Sequence, residues 1–157
     1  MKKINVGRLS ISIIIPLVAA FLGSFFTSPA VKTWYLIINK PSWNPPSWLF
    51  APVWTTLFIL MGVALYLVWS AKMSNKVRCA MKTFAVQLIL NILWSVFFFG
   101  MRNFWLAFGE IVFLWVAIGL TIVDFSKVNK TAAWLLVPYI MWVSFASYLN
   151  FTVAGLN

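Results

Sequence analysis

Long apolar runs dominate the pattern of hydrophobic and polar residues along the chain, and the short segments between them hold most of the charged residues. Five of these runs are about 20 residues long, the length that an α-helix needs to cross a hydrocarbon core of about 30 Å. Because lipid offers no hydrogen-bond partners to the backbone, such a run crosses a membrane as a helix. We therefore predict one all-α domain of residues 1–157, an integral membrane bundle of five transmembrane helices. The predicted helices are residues 9–27, 48–70, 81–100, 104–124 and 132–153, with residues 28–47 as the longest connection.

The first apolar run has an alternative interpretation as a secretory signal peptide. The basic sequence MKK precedes it, and Ser28-Pro29-Ala30 follows it in the manner of a cleavage site. Its apolar stretch, however, is longer than the roughly 7–15 residues typical of a signal peptide. We therefore expect the run to remain as the first transmembrane helix.

Composition supports the membrane class and excludes several kinds of site. Hydrophobic residues make up 63% of the chain, charged residues make up 9%, and the mean hydropathy is +0.95. The net charge is +10, but the basic residues lie at the ends of the apolar runs, so we expect no nucleic-acid partner. The chain has no histidine, one cysteine (Cys79) and two acids (Glu110 and Asp124). This inventory excludes an internal disulfide, a zinc site, a Ser-His-Asp triad and a two-carboxylate hydrolase, so we expect no metal.

The distribution of basic residues predicts the orientation. An odd number of helices places the two termini on opposite sides of the membrane. Nine basic residues fall on the side of the N-terminus: Lys2, Lys3, Arg8, Lys72, Lys76, Arg78, Lys82, Lys127 and Lys130. Three fall on the other side: Lys32, Lys40 and Arg102. Because cytoplasmic loops carry the excess of Lys and Arg, we expect a cytoplasmic N-terminus, with the C-terminus and the first long connection outside.

The segment of residues 34–54, WYLIINKPSWNPPSWLFAPVW, holds four tryptophans and four prolines. Pro41, Pro45 and Pro46 exclude an ordinary helix through residues 40–47. One interpretation of so aromatic a connection is a belt at the membrane interface. The other, which we favour, is a lid over a ligand cavity inside the bundle.

The third predicted helix carries a polar stripe. Gln87, Asn91 and either Trp94 or Ser95 recur at helical spacing, although a side-chain amide is costly in hydrocarbon unless it has a partner. Hydrogen bonds between helices and polar contacts to a ligand both explain this stripe.

Two other helices carry aromatic stripes. Residues Trp54, Phe58, Met61 and Leu65 share one face of the second helix, and Trp142, Ala146 and Asn150 share one face of the fifth, after a kink at Pro138. In the first helix, the small-residue pairs Ala19/Gly23 and Ala20/Ser24 favour ordinary close packing.

Glu110 is the acid that lies well inside a predicted span, which makes it a candidate functional residue. We expect it to pair with Arg102, in the short connection before its helix, or to lie in a water-filled part of the bundle. Asp124 falls at the end of the same helix, where we expect it to be solvated.

Four ordered blocks of sequence resemble the TspO/MBR family of translocator and tryptophan-rich sensory proteins. They are WYLIINKPSWNPP at 34–46, PVWTTLFILMG at 52–62, QLILNILWSVFFFG at 87–100 and WLLVPYIMWVSFASYLN at 134–150. The resemblance covers essentially the full chain and is closest to bacterial-type members. It implies a homodimer in a bacterial cell membrane, with a cavity that opens toward the first connection.

The resemblance also implies ligands. That cavity binds porphyrins such as protoporphyrin IX, and isoquinoline-type or benzodiazepine-type drugs, with no required cofactor. Transferred by motif, the ligand-binding positions are Trp34, Trp43, Trp54, Asn91, Trp94, Trp142, Ala146 and Leu149. The chain departs from the family at Phe58, where many members have tyrosine, and at Glu110, where aspartate is common. It lacks a basic residue near its C-terminus, which makes sterol binding doubtful.

Three functions follow as hypotheses. The first is a sensor or receptor that binds porphyrin in tetrapyrrole handling or stress response. The second is light- and oxygen-dependent porphyrin degradation, in which Trp54 and Trp142 would be the catalytic residues. The third is a transporter of tetrapyrrole or lipid, although the sequence shows no inverted repeat of the kind found in many transporters.

Overall fold

The structure is a computed structural model that describes residues 4–157, and the regular structure of these residues is entirely helical. Five helical segments are long and apolar enough to cross a membrane. They are Val6–Lys32, Ser47–Trp69, Asn75–Gly100, Phe104–Ser126 and Lys130–Leu156. The predicted all-α class with five membrane-spanning helices is therefore confirmed.

The described residues form seven α-helices, a 3₁₀ turn and a π-helical turn. The helices are α1 (Val6–Lys32), α2 (Trp34–Ile37), α3 (Phe50–Trp69), α4 (Asn75–Ser95), α5 (Phe104–Ser126), α6 (Lys130–Leu135) and α7 (Val137–Leu156). Helix α2 lies between the first two membrane-spanning segments and belongs to neither. A 3₁₀ turn at Ser47–Leu49 leads into α3, and a π-helical turn at Val96–Gly100 ends the span of α4. Pro138 lies in the first turn of α7, and the break between α6 and α7 at Leu136 confirms the predicted kink.

The long connection is shorter than predicted. Helix α1 continues through Pro29 to Lys32, and α2 adds another helical turn, so the prediction of a loop from residue 28 was wrong. Pro29 has no N–H to donate to the Phe25 carbonyl, and Thr33 Oγ1 donates a hydrogen bond to the Pro29 carbonyl at 2.8 Å near the helix end. Residues 38–46 are irregular, and the prolines exclude an ordinary helix there as predicted.

Helix α4 begins six residues before the predicted start because its N-terminus is capped outside the apolar run. The side chain of Ser74 accepts a hydrogen bond from the backbone N–H of Val77 at 3.4 Å. Asn103 and Asn129 cap α5 and α6 in the same way, at 3.0 and 3.1 Å.

The end of the bundle that carries residues 38–46 is here called the loop end. Asn39 ties this segment to the C-terminus, since its backbone N–H donates to Asn157 Oδ1 at 3.0 Å and its side chain donates to the Leu156 carbonyl at 3.1 Å. One core cluster of apolar side chains fills most of the bundle, and a smaller one lies at the loop end around Tyr35, Phe98 and Val153.

Helices α1 and α3 are in direct backbone contact away from the loop end. A Cβ atom on Gly62 would lie 2.6 Å from the Cα of Ile13, a distance that real structures avoid. We expect Gly62→Ala to force these helices apart and to lower the free energy of unfolding in detergent by about 1–3 kcal/mol.

Gly109→Ala in α5 is the matched control, because a Cβ atom there meets nothing within 4 Å. Removing a helix-interior glycine at such a position stabilises by up to about 1 kcal/mol. Thermal unfolding of both variants in one detergent checks the pair. Equal unfolding temperatures for the two variants would contradict the described contact between α1 and α3.

Candidate functional site

A cavity of about 500 Å³ lies inside the bundle toward the loop end, between the two core clusters. Its walls come from α1, α3, α4 with its π-helical turn, and α7, with Tyr35 and Ser47 from the connection. This volume is within the range of small-molecule sites in proteins, about 300–1,000 Å³. Among the described residues, the walls contain no acid, histidine or cysteine, and the titratable side chains on them are those of Lys32 and Tyr35.

The walls are largely aromatic. Trp94 stacks on Phe98 with ring centroids 5.2 Å apart, and Phe98 meets Phe99 edge to face at 4.8 Å. On α7, the rings of Trp142 and Phe145 are 5.5 Å apart. Such surfaces suit a flat apolar ligand, because each ring offers a large rigid face.

Two hydrogen-bonded pairs fix the polar side chains of the walls. Asn91 Nδ2 donates to the hydroxyl of the buried Tyr139 at 2.9 Å. Trp94 Nε1 donates to Asn150 Oδ1 at 3.1 Å, and Asn150 Nδ2 donates to the Phe104 carbonyl at 2.9 Å. Hydrogen bonds between helices therefore account for Asn91 and Trp94, which also line the cavity. They hold α4 against α7, so the wall is rigid before any ligand arrives.

Two polar groups of the described chain remain unpaired in this region. Trp142 lines the cavity and its Nε1 is buried, yet this donor has no acceptor among residues 4–157. An unsatisfied buried donor costs about 1–3 kcal/mol, and because this N–H is fully buried it does not reach the open space of the cavity. The side-chain amide of Gln87 is also buried and unpaired, but Gln87 does not line the cavity.

Small residues of α1 make room for the cavity. Ala19, Ala20, Gly23 and Ser24 all lie on its wall, and Ala19 also belongs to the core. A Cβ atom on Gly23 would lie 3.2 Å from Ser95 Oγ, so α1 also packs closely on α4. The small-residue pairs were expected only to pack helices, and their second effect is to leave space.

Six of the eight residues transferred by motif line the cavity: Trp54, Asn91, Trp94, Trp142, Ala146 and Leu149. The other two, Trp34 and Trp43, lie outside it. Trp34 stacks on Phe104 at 5.4 Å, and Trp43 stacks on Tyr148 at 5.2 Å.

Tyr35 is the wall residue that the connection supplies through α2, and sequence analysis missed it. Its hydroxyl donates to Asn44 Oδ1 at 2.7 Å, and burial raises the pKa of Tyr35 to about 12. Consecutive residues of a helix point about 100° apart, so α2 cannot direct both Trp34 and Tyr35 inward. Phe98, Phe99 and Phe145 also line the cavity and were not predicted to do so. For Phe98 and Phe99 the sequence held a signal, because the run FFF at 97–99 follows Trp94 by about one helical turn.

The predicted pair of Glu110 with Arg102 was wrong. The Arg102 guanidinium lies over the ring of Trp34, 5.6 Å from its centroid, where it stays at the bundle end. Reaching Glu110, about two turns into the span, would desolvate that cation. Glu110 is buried, its carboxyl oxygens have no hydrogen-bond partner in residues 4–157, and it does not line the cavity.

Asp124 was expected to be solvated, and it lies partly exposed at the end of α5 with further partners. It forms an ion pair with Lys127 at 2.7 Å and accepts a hydrogen bond from Cys79 Sγ at 3.5 Å. The pair raises the pKa of Lys127. This cluster lies at the end of the bundle opposite the cavity.

A second, shallower groove of about 460 Å³ lies on the outer face of α5 and α7. Its walls include Phe108, Trp115, Ser144 and Tyr148. Trp115 Nε1 already donates to Ser144 Oγ at 2.8 Å, so this groove offers no free indole donor. Trp115 and Tyr148 are exposed and face the lipid.

The comparison with known proteins agrees with this arrangement. The family model described as the TspO/MBR family matches residues 12–156. The chain belongs to the TspO/MBR family. Together with the five apolar helices, this membership makes it an integral, multi-pass membrane protein.

Relatives within the TspO/MBR family come from distant organisms. Tryptophan-rich protein TspO of Chlorobaculum tepidum is 51% identical over 142 residues, which are 90% of each chain. Tryptophan-rich protein TspO of Archaeoglobus fulgidus is 44% identical over 153 residues, 98% of this chain and 99% of the relative. The human Translocator protein is 36% identical over 140 residues, 88% of this chain and 83% of the relative.

Proposed function

We propose that the protein binds a porphyrin such as protoporphyrin IX in its aromatic cavity, as a receptor or sensor in tetrapyrrole handling or stress response. The observation that supports this most is the cavity of about 500 Å³ whose walls carry the rings of Trp54, Trp94 and Trp142. A flat macrocycle would stack on these aromatic walls. Isoquinoline-type and benzodiazepine-type drugs share the flat aromatic character and would compete for the same space.

A titration of the purified protein in the dark tests this proposal. We expect protoporphyrin IX to quench tryptophan fluorescence with saturation, and an isoquinoline carboxamide to reverse the quenching. If quenching instead rises linearly with the pigment concentration and the isoquinoline carboxamide does not reverse it, the pigment is partitioning into detergent. That result would contradict the proposal.

We also propose that the N-terminus is cytoplasmic and that the loop end lies outside the membrane. The basic residues concentrate at the opposite end of the bundle, which supports this orientation. Cys79 is an exposed thiol at that opposite end and gives a direct reporter.

A membrane-impermeant maleimide should label Cys79 only after the cells are opened. Labelling of denatured protein controls for reactivity, since the thiol also donates to Asp124. Efficient labelling of intact cells would reverse the proposed orientation.

We further expect two chains to form a homodimer in the membrane.

Light- and oxygen-dependent degradation of the bound pigment is a second candidate function. It is supported by the position of Trp54 and Trp142, two oxidisable indoles on the walls of one cavity. A photosensitiser held against them would act through proximity, which needs no acid or base.

A further inference from the structure

The cavity opens sideways between α1 and α3 at the loop end. Small residues at four-residue spacing line the facing edges of these helices: Ala20, Ser24 and Ser28 on α1, and Ser47 in the 3₁₀ turn before α3 with Ala51 and Thr55 on α3. Ser28, Ala51 and Thr55 are exposed as well as lining the cavity, so the gap reaches the outside of the bundle. The same two helices are in backbone contact farther down, at Gly62.

This opening faces the membrane. Phe21 is 62% exposed and Phe25 is 60% exposed beside it, as expected of side chains in contact with lipid. An apolar ligand therefore has a path from the bilayer into the cavity that does not pass through the connection of residues 38–46.

Lys32 lies at the outer end of the opening. It follows Ser28 by four residues on the same face of α1, it lines the cavity, and it is exposed. Its position at the last residue of α1 leaves its ammonium group near the membrane surface, where a charged group remains partly hydrated.

The other two cations at this end are engaged elsewhere. Lys40 Nζ donates to the carbonyls of Tyr35, Leu36 and Ile38, and Arg102 lies over Trp34. Among the described residues, one ion pair is present, between Asp124 and Lys127. Lys32 therefore has no acidic partner in this part of the chain.

We propose that Lys32 binds the acidic group of an amphipathic ligand whose ring system lies in the cavity, and that it thereby fixes which edge of the ligand points outward. This inference rests on the proposed function. The ligand class is a flat aromatic anion with its carboxylate at one edge, since an apolar interior and a single cation at the mouth complement such a molecule.

The test compares protoporphyrin IX with its dimethyl ester, which keeps the macrocycle but removes both negative charges. Affinities are measured in the dark in nanodiscs of phosphatidylcholine, so that no anionic lipid competes. Lys32→Gln should weaken binding of the diacid about three- to tenfold and leave the ester unchanged. Lys76→Gln at the opposite end removes the same charge and should change neither affinity.

The outcomes separate this inference from the proposed function. If both porphyrins bind and Lys32→Gln changes their affinities equally or not at all, Lys32 does not bind the carboxylate and the inference fails alone. If anionic phosphatidylglycerol in the nanodiscs removes the effect of Lys32→Gln, a lipid phosphate occupies Lys32 and the inference also fails. If neither porphyrin binds saturably, the proposed function fails as well.

Discussion

Ala146→Phe is expected to weaken porphyrin binding strongly. The methyl group of Ala146 lies on the cavity wall and packs against the core that surrounds Trp54 and Trp142. A phenyl ring there would fill space that the macrocycle needs, and a rigid wall cannot yield without overpacking costs of about 1–3 kcal/mol. We therefore expect affinity for protoporphyrin IX to fall by up to about a hundredfold, measured by tryptophan quenching.

The matched control is Ala85→Phe, which makes the same change at an exposed position of α4 that does not line the cavity. It should keep the wild-type affinity. Retention of full affinity in Ala146→Phe, with an unfolding temperature like that of the control, would show that the porphyrin binds elsewhere.

The Trp54→Phe and Trp142→Phe variants are expected to keep most of the porphyrin affinity. Under illumination, however, they should degrade the pigment much more slowly than the wild type. A phenyl ring retains an aromatic face for the macrocycle, but it is less readily oxidised than indole. Both indoles lie on the cavity walls, where a bound photosensitiser would meet them at high effective concentration. The bleaching rate under illumination in the presence of oxygen, with a dark sample alongside, measures the effect.

Trp115→Phe is the control for this pair, because Trp115 lies in the outer groove and its N–H already binds Ser144. It should bleach pigment at the wild-type rate. If both cavity variants also bleach the pigment at the wild-type rate, Trp54 and Trp142 only line the cavity and take no part in degradation. Binding would then be the sole proposed function.

The fold could be predicted because lipid restricts the choices. An apolar run long enough to cross the membrane must satisfy its backbone internally, and all five runs do so as helices. The ends of the helices were less predictable, since they depend on local groups. Ser74 starts α4 well before the apolar run, and Thr33 supports the α1 end beyond Pro29.

The cavity walls were predictable where they lie on long helices. Helical spacing placed Trp54, Asn91, Trp94 and Trp142 on common faces, and these residues line one cavity. The irregular connection of residues 38–46 and the short helix α2 before it have no helical repeat from which the direction of their side chains could be predicted. The short helix α2 sends Tyr35 to the wall instead of Trp34, which no pattern in the sequence indicated.

Charges inside the bundle were the least predictable part. Arg102 is separated from Glu110 by two turns, which made a pair plausible from the sequence. The structure instead gives Arg102 an aromatic partner at the bundle end, in a left-handed conformation with φ 53°. Sequence spacing does not include the desolvation cost that keeps a guanidinium near water.

The decisive measurement is a structure of the protein with protoporphyrin IX bound in the dark. We expect the macrocycle inside the bundle, in contact with the rings of Trp54 and Trp142. A macrocycle seated instead in the groove between α5 and α7, against Trp115 and Tyr148, with the inner cavity unchanged, would contradict it.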